Sequence, residues 1–467
     1  MTPSPLLILC LLFAFLANAA RSQAQAEQRP NIVFIFADDW GWGDLSCHGH
    51  PYVKTPNIDR LAAEGTDFTR FTVASGVCSP SRAAVMTGHF PARYAIDGHF
   101  AWVPSNASRG MPDWLAVDAP TMPRFLQQAG YATAHFGKWH LSNNMIPDSP
   151  TPGEYGYDEY GAFNCSGEQM PVHEDAQHAN AFIEKSVEAG KPFFVNLWIH
   201  EPHTPFHTVP KYEWRFRHLE NEADRIYASV LSHADDRIGE VLDTLDRLGV
   251  TDNTLVIFSS DNGPARGGEN TKLELGYDTA TGAGWMIGGS KGITAGRRGY
   301  KASLFDGGIN VPFIARWPGV IGAGETNRSA ISAVDLLPTF SELAGAKLPS
   351  NYQPDGLSQV EVLKGKTVLE RTKPLFWKYP SAWPASKGKP DHWVSYAVAF
   401  GKWKLVANRD SSYFELYDIV NDPYESKDLK ESFSEVAAGL LAKLGDWQDS
   451  LPEGPSGEVF SGLREKN

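Results

Sequence analysis

The sequence predicts an α/β protein: a large mixed, mostly parallel sheet flanked by helices, with a smaller C-terminal antiparallel-sheet subdomain. Three observations predict it. Short apolar runs alternate with helix-like stretches through most of the 467 residues, the pattern of strands joined by crossover helices. Two of those runs stop at Asp38-Asp39 and Asp261-Asn262, and the carboxyl ends of parallel strands are where such sheets bind ligands. Past residue 393 the segments become short, close and alternating, which suits hairpins rather than crossovers.

At the start, Leu6 to Leu16 is an apolar run ending in small residues, with Ala17-Asn18-Ala19 and Ala24-Gln25-Ala26 as cleavage sites. It predicts a secretory signal peptide over residues 1–26, cut at a position between 19 and 26, although Met1 to Pro5 carries no Lys or Arg. The run is too short to span a bilayer and no other segment approaches that length. The expected product therefore has no membrane anchor and is secreted or periplasmic.

Asn31 to Phe36 is the first strand. Thr55-Pro56-Asn57 opens a helix that closes near Gly65. Phe68 to Ala74 alternates as a strand, helices follow at Pro80 to Thr87 and Met122 to Ala129, and Tyr131 to Phe136 is again extended. Residues 173–189 are helical, and Pro192 to Ile199 is a buried strand. The clearest helix is 221–248, where Ile226, Val230, Ile238, Val241, Leu242, Leu245 and Leu248 share a face and Gly249 ends it. Thr254 to Phe258 is the strand before Asp261. Stretches 97–119, 141–170 and 263–300 are long and irregular, and loops of that length tend to carry function. Near 345–372 the pattern weakens, dividing the mature chain into a main domain, 27–370, and a C-terminal subdomain, 371–467. In the latter Val394 to Phe400, Trp403 to Ala407 and Tyr413 to Tyr417 are strands, and 432–446 is a helix.

Hydrophobic residues at 42% and charged residues at 21% are ordinary for a globular chain. A formal net charge of -13 argues against nucleic acid or an anionic membrane as partner. It leaves room for a small anion held by a local cluster of cations. After signal removal Cys47, Cys78 and Cys165 remain, too few for a disulfide framework. Cys47 and Cys165 read as two unrelated buried thiols, with a pairing between them left open.

Adjacent carboxylates repel unless a cation or proton lies between them. Asp38, Asp39, Asp261 and Asn262 offer hard oxygens that suit Ca2+ or Mg2+ and not zinc. Either pair alone could be an ordinary turn; both at strand ends single them out. Cys78-Ser79-Pro80-Ser81-Arg82 follows a strand and opens a helix, where an anion is welcome. The bland alternative is a buried structural cysteine. Lys138 and His140 alternate at a strand end, so both can face one site. Glu201-Pro202-His203-Thr204-Pro205 follows another buried strand, with His200 and His207 nearby.

Cys-x-Pro-Ser-Arg followed by Ala83 to Arg93, with Thr87-Gly88 and Pro91-x-Arg93, resembles the sulfatase signature. Gly130 to Thr133 with Gly137-Lys138-Trp139-His140 resembles that family's second signature, and Glu201 to Pro205 its third histidine segment. Tyr300 to Gly308, running into Val311-Pro312 and Trp317-Pro318-Gly319, resembles the segment with its last lysine, Lys301. The resemblance runs from about Arg29 to the Glu415–Asp418 stretch. It is strongest to the arylsulfatase and N-acetylgalactosamine-6-sulfatase branch of the formylglycine-dependent type I sulfatases.

The resemblance implies an alkaline-phosphatase-like fold, a sulfuric ester hydrolase, and 27–370 as its catalytic domain. It implies that a maturation enzyme oxidises Cys78 to formylglycine, whose hydrate attacks sulfur, and that Asp38, Asp39, Asp261 and Asn262 hold Ca2+ rather than Mg2+. Arg82 would brace the nucleophile, and Lys138 and Lys301 would hold sulfate oxygens. His203 would protonate the leaving alcohol, while His140 takes the proton that lets sulfate go. The expected substrate is a sulfated carbohydrate or an aryl sulfate. Trp377, Tyr379, Trp383, His392 and Trp393 form an aromatic segment that could stack on sugar rings, core packing being the alternative. The rival functions are a phosphomonoester or phosphonate hydrolase of the same superfamily and a non-catalytic binder of sulfated glycans.

Overall fold

Asn31–Ala37 (β1) is apolar on both faces and buried along its whole length, as a central strand covered on both sides must be. The computed structural model, which describes residues 29–206, 209–265, 274–278, 282–286, 291–379 and 391–466, builds the main sheet around it. The expected signal peptide, His207 and Trp383 lie outside the described residues.

Seven further strands join β1: Thr66–Phe68 (β2), Ala132–Lys138 (β3), Glu159–Phe163 (β4), Phe193–Trp198 (β5), Thr254–Ser260 (β6), Phe313–Arg316 (β7) and Glu325–Asn327 (β8). Their order is β8-β2-β7-β6-β1-β5-β3-β4. Only β7 runs antiparallel to its neighbours β6 and β2. The sheet is thus large, mixed and mostly parallel, as expected. Alternation along β1 feeds two cores: Ile32, Phe34 and Phe36 enter one, and Val33, Ile35 and Ala37 the other. Helices Cys78–Thr87 (α2), Met122–Gln128 (α3) and Leu336–Ala344 (α6) cover the first. Pro56–Ala63 (α1), Asp175–Glu188 (α4) and Glu222–Arg247 (α5) cover the second. At the start of α5 the Asn221 side chain accepts from the amides of Ala223 and Asp224 at 2.9 and 3.2 Å, so two of the helix's orphan donors are satisfied.

The C-terminal sheet is an antiparallel meander of Arg371–Lys378 (β9), Tyr396–Gly401 (β10), Trp403–Ala407 (β11) and Phe414–Asp418 (β12). Ser434–Asp449 (α7) packs on it through Leu440, Leu444 and Trp447, the last stacked on Phe376 with ring centroids 4.9 Å apart. Among the described residues, four buried or half-buried cations tie this sheet to the main domain by ion pairs. Arg371 is bound to Asp335 at 2.6 Å and Lys378 to Asp97 at 2.7 Å. Arg298 binds Asp391 and Glu415 at 2.8 and 2.9 Å, and Lys404 lies between Asp306 and Glu425 at 2.6 and 2.7 Å.

Three expectations need correction. Phe68 to Ala74 is not one strand: β2 ends at Phe68, the chain turns at Thr69-Arg70, and Phe71–Thr72 pairs with 310–311 and 331–332 in a separate small sheet. Stretches 97–119, 141–170 and 263–300 are not wholly irregular: Val103–Ser108 is a short helix, β4 forms the edge of the main sheet, and Glu274–Asp278 pairs with Gly282–Met286. Cys47 and Cys165 are both free, but Cys47 is exposed and only Cys165 is buried. Among the described residues no helix is long and apolar enough to cross a membrane.

Candidate active site

The candidate residues gather where the parallel strands end. Asp38 and Asp39 leave β1, Asp261 and Asn262 leave β6, Lys138 ends β3, and His203 lies five residues beyond β5. Cys78 is the first residue of α2 and 2% exposed. Asp39 adopts a positive φ of 66°, a conformation Asp tolerates better than most residues. Its amide donates to Asp261 Oδ1 at 3.2 Å, while the Asp38 amide donates to the Glu201 carbonyl at 3.3 Å. Lys301 arrives on a different loop, pressed against the Asp261 turn at Gly263. A Cβ at Gly263 would lie 1.9 Å from the Gly307 carbonyl oxygen, so only glycine permits that approach. The Lys301 amide then donates to the Pro264 carbonyl at 2.9 Å.

Cys78 Sγ lies 3.5 Å from Asp38 Oδ1 and 3.6 Å from Lys138 Nζ. Lys138 also binds Asp38 Oδ2 directly. Lys301 Nζ contacts both oxygens of Asp39, at 2.6 and 2.7 Å. Arg82, fully buried, grips Asp261 Oδ2 through Nε and Nη2 at 3.0 and 2.7 Å and donates through Nη1 to the Lys138 carbonyl at 3.1 Å. Its guanidinium lies over the Trp198 ring, 5.0 Å from the centroid. Three carboxylates therefore face three permanent cations.

Burial pulls the Asp38 pKa up, but His203, Lys138, Arg82 and Lys301 outweigh it and hold the carboxyl well below the usual range. Asp261 goes the other way, to about 7, pushed by burial and then by the Asp38 charge despite Arg82. Burial also pushes the Cys78 thiol up, with Lys138 and Lys301 pulling against it. His203 is lowered to about 4 by burial. Burial and then Lys138 hold His140 well below the ordinary imidazole value.

The two histidines differ in which nitrogen is committed. His203 Nδ1 faces the Thr204 carbonyl at 2.6 Å, and a carbonyl only accepts, so Nδ1 carries the hydrogen. Nε2 is left 3.9 Å from Asp39 Oδ2. His140 makes the mirror choice: Nε2 donates to the Phe100 carbonyl at 2.9 Å, and Nδ1 is buried without a hydrogen-bond partner. His200 is a structural residue, its Nε2 bonded to the Pro205 carbonyl at 3.0 Å.

Ligand atoms from Asp38, Asp39, Cys78 and His203 lie within 4.8 Å of one another. Asn262 Nδ2 donates to Asp39 Oδ1 at 2.7 Å, while Asn262 Oδ1 is buried with no partner. A buried amide oxygen without a donor beside two carboxylates is a place for a hard cation. Both oxygens of Asp38, Asp39 and Asp261 already accept hydrogen bonds, those of Asp261 from the Asp39 amide and Arg82. Motif reading did not find the mouth of the site: His99 lies 6.3 Å ring to ring from His140, and its pKa is lowered to about 4 by burial and then Arg109. Neither belongs to a recognisable pattern. In the aromatic segment, Trp377 is core, its Nε1 bonded to the Val73 carbonyl at 2.7 Å. Half-buried Tyr379 lies within the electrostatic reach of Lys301 and Arg109.

Comparison with known proteins gives two family-model matches: the sulfatase family over residues 30–346, and "N-sulphoglucosamine sulphohydrolase, C-terminal" over 298–450. N-acetylgalactosamine-6-sulfatase of Rattus norvegicus is 32% identical over 413 residues, covering 79% of this chain and 71% of that protein. Arylsulfatase A of Homo sapiens is 31% identical over 418 residues, covering 80% and 74%. A solved structure of Ps i-CgsB in complex with k-i-k-neocarrahexaose superposes with a TM-score of 0.75 at 26% identity, covering 94% of this chain and 96% of that one.

Proposed function

Because the chain belongs to the sulfatase family and is a sulfuric ester hydrolase, we propose that it removes sulfate from a sulfated carbohydrate using formylglycine at position 78 and Ca2+. The observation that carries this reading is the setting of Cys78. Its Sγ, standing where the modified residue's oxygen would be, sits at a helix N-terminus between Asp38 and Lys138, at 3.5 and 3.6 Å. The carbohydrate is supported by the names of the N-acetylgalactosamine-6-sulfatase relatives and by the carrahexaose complex.

Ca2+, when bound by Asp38, Asp39 and Asn262, with Asp261 completing the set, supplies positive charge to a sulfate oxygen and to the nucleophile. Formylglycine, when formed, supplies a hydrated aldehyde whose second hydroxyl allows sulfate release without water attacking sulfur. The chain's own groups do the rest. Lys138 and Lys301 bind sulfate oxygens as point charges, exchanging them for the carboxylates they now touch. Arg82 fixes Asp261 and, through the Lys138 carbonyl, the end of β3. His203, with Nδ1 held by the Thr204 carbonyl, presents Nε2 to the leaving oxygen, where Asp38 and Asp39 favour the protonated form against the burial and lysine charges that lower its pKa to about 4. His140 presents a lone pair at Nδ1 to accept the proton that frees sulfate. Three carboxylates balance three cations, so a bound divalent ion leaves the pocket positive, the complement of sulfate. The leader-like N-terminus supports a periplasmic or extracellular setting for this activity.

Mass spectrometry of the tryptic peptide Phe71 to Arg82, from protein made in its native host, tests the reading. An aldehyde or its hydrate at residue 78 is expected. An intact thiol in protein that turns over an aryl sulfate would overturn it.

A further inference from the structure

A second cluster of metal-binding side chains lies behind the pocket, outside the chemistry above. His173 stands in the short turn before α4, His233 lies midway along α5, and Glu201 follows β5. One ligand atom from each lies within 4.8 Å of the others. His173 Nε2 is 3.5 Å from Glu201 Oε1, and the two imidazole rings meet edge to face at 4.3 Å. Glu201 is fully buried. Its Oε2 receives Arg237 Nη2 at 2.6 Å, and Arg237 Nε binds Asp175 Oδ1 at 2.9 Å. Arg237 is four residues from His233 on the same helix face. His233 Nδ1 is buried without a hydrogen-bond partner, which is uncommon for an interior polar atom, and Glu201 Oε1 faces the His173 imidazole.

We propose that His173, Glu201 and His233 form a structural site for a divalent transition metal of the zinc class, separate from the hard-oxygen cluster at Asp38 and Asp39. Two imidazoles and one carboxylate select zinc, cobalt, nickel or copper over calcium. Bonds of about 2.0–2.1 Å put the ligand atoms of a tetrahedral zinc centre roughly 3.3 Å apart, so the observed spacing needs only a small closure. Arg237 and Asp175 orient the carboxylate from behind, as hydrogen-bonded neighbours of metal ligands do. The His173 side chain is 32% exposed, leaving a path for the ion and for a water as fourth ligand. The site bears on the pocket through the main chain: the Glu201 carbonyl accepts the Asp38 amide, and His203 is two residues on. The proposal stands apart from the sulfatase reading and does not need it.

The test is titration of chelator-treated full-length protein with Co2+ in the presence of excess Ca2+, followed by visible absorption. One Co2+ per chain with the spectrum of nitrogen and oxygen ligands is expected. Affinity should fall more than the roughly tenfold that loss of a ligand's hydrogen-bonded neighbour costs, in both His173→Gln and His233→Gln. It should persist in Cys78→Ser, whose loss of any thiolate-to-cobalt band separates the two clusters. Zn2+ should also raise the thermal midpoint of the unaltered protein and not of the two histidine variants; metal-free midpoints check that the variants fold. Absence of stoichiometric binding in the unaltered protein, or binding that both folded histidine variants retain, overturns the proposal and leaves a proton as the occupant of the cluster.

Discussion

Cys78 as a thiol would be a poor nucleophile, since its burial disfavours the thiolate more than Lys138 and Lys301 favour it. Cys78→Ser and Cys78→Ala are therefore expected to lose turnover of an aryl sulfate, because a sulfated serine would need water to attack it. Retained multiple turnover in Cys78→Ala would sink the mechanism. Calcium chelation with EGTA should lower kcat/KM, and Ca2+ should restore it better than Mg2+. Asp44 offers a pH test away from the chemistry. It accepts from the amides of Gly41 and Ile293 at 2.8 Å each and from the Tyr227 hydroxyl at 2.9 Å. Burial still raises its pKa to about 7, those hydrogen bonds notwithstanding. With the folded pKa above the unfolded value of about 3.9, its contribution to stability is full below pH 4 and is lost as pH rises through about 7. Unfolding curves for the protein and Asp44→Asn should therefore show the difference in stability drifting against the aspartate across that window.

Among the elements, α5 carries a clean prediction: Asn221→Ala removes a cap accepting two amides and should cost about 1 kcal/mol in denaturant unfolding. Gly263→Ala should do more harm to activity than to secondary structure, because the new Cβ forces apart the turns that bring Lys301 to Asp39. The same elements explain what could be read in advance. β1, β5 and β6 were legible as apolar runs because both faces are buried, and α5 because its one-sided burial imposes a helical period. β9 was not, because Pro374 and a mixed burial pattern mark an edge strand with no period to find. β4 was hidden in loop-like sequence, Glu159-Tyr160-Gly161, half of it facing solvent. At the site, Asp38, Cys78, Lys138 and Lys301 sat in recognisable motifs. His99 and Glu201's side chain did not announce their roles, since only the folded chain brings them to their partners.

For the molecule entire, Lys404 is the fully buried cation in the seam between the main domain and the C-terminal sheet that pairs with two carboxylates. Lys404→Met leaves Asp306 and Glu425 buried without their cation and should cost about 3–5 kcal/mol, measured as a lowered denaturant midpoint; an unchanged midpoint would mean that this pairing adds nothing to the seam. Assembly of the pocket is equally global. Lys301 and Asp39, in contact through their side chains, are 262 residues apart in the chain, so no early local structure can build the site. That distance, with the burial of Cys78, sets an order of events. Once α2 is packed, Cys78 is 2% exposed, and no second protein can grip the residues around it. If Cys78 is oxidised as proposed, the oxidising enzyme has to meet this segment as extended chain, before β1, β6 and the Lys301 loop close over it. On that proposal the long-range closure of the pocket is a permissive interval, and the time the chain takes to close sets the fraction of molecules that can be modified.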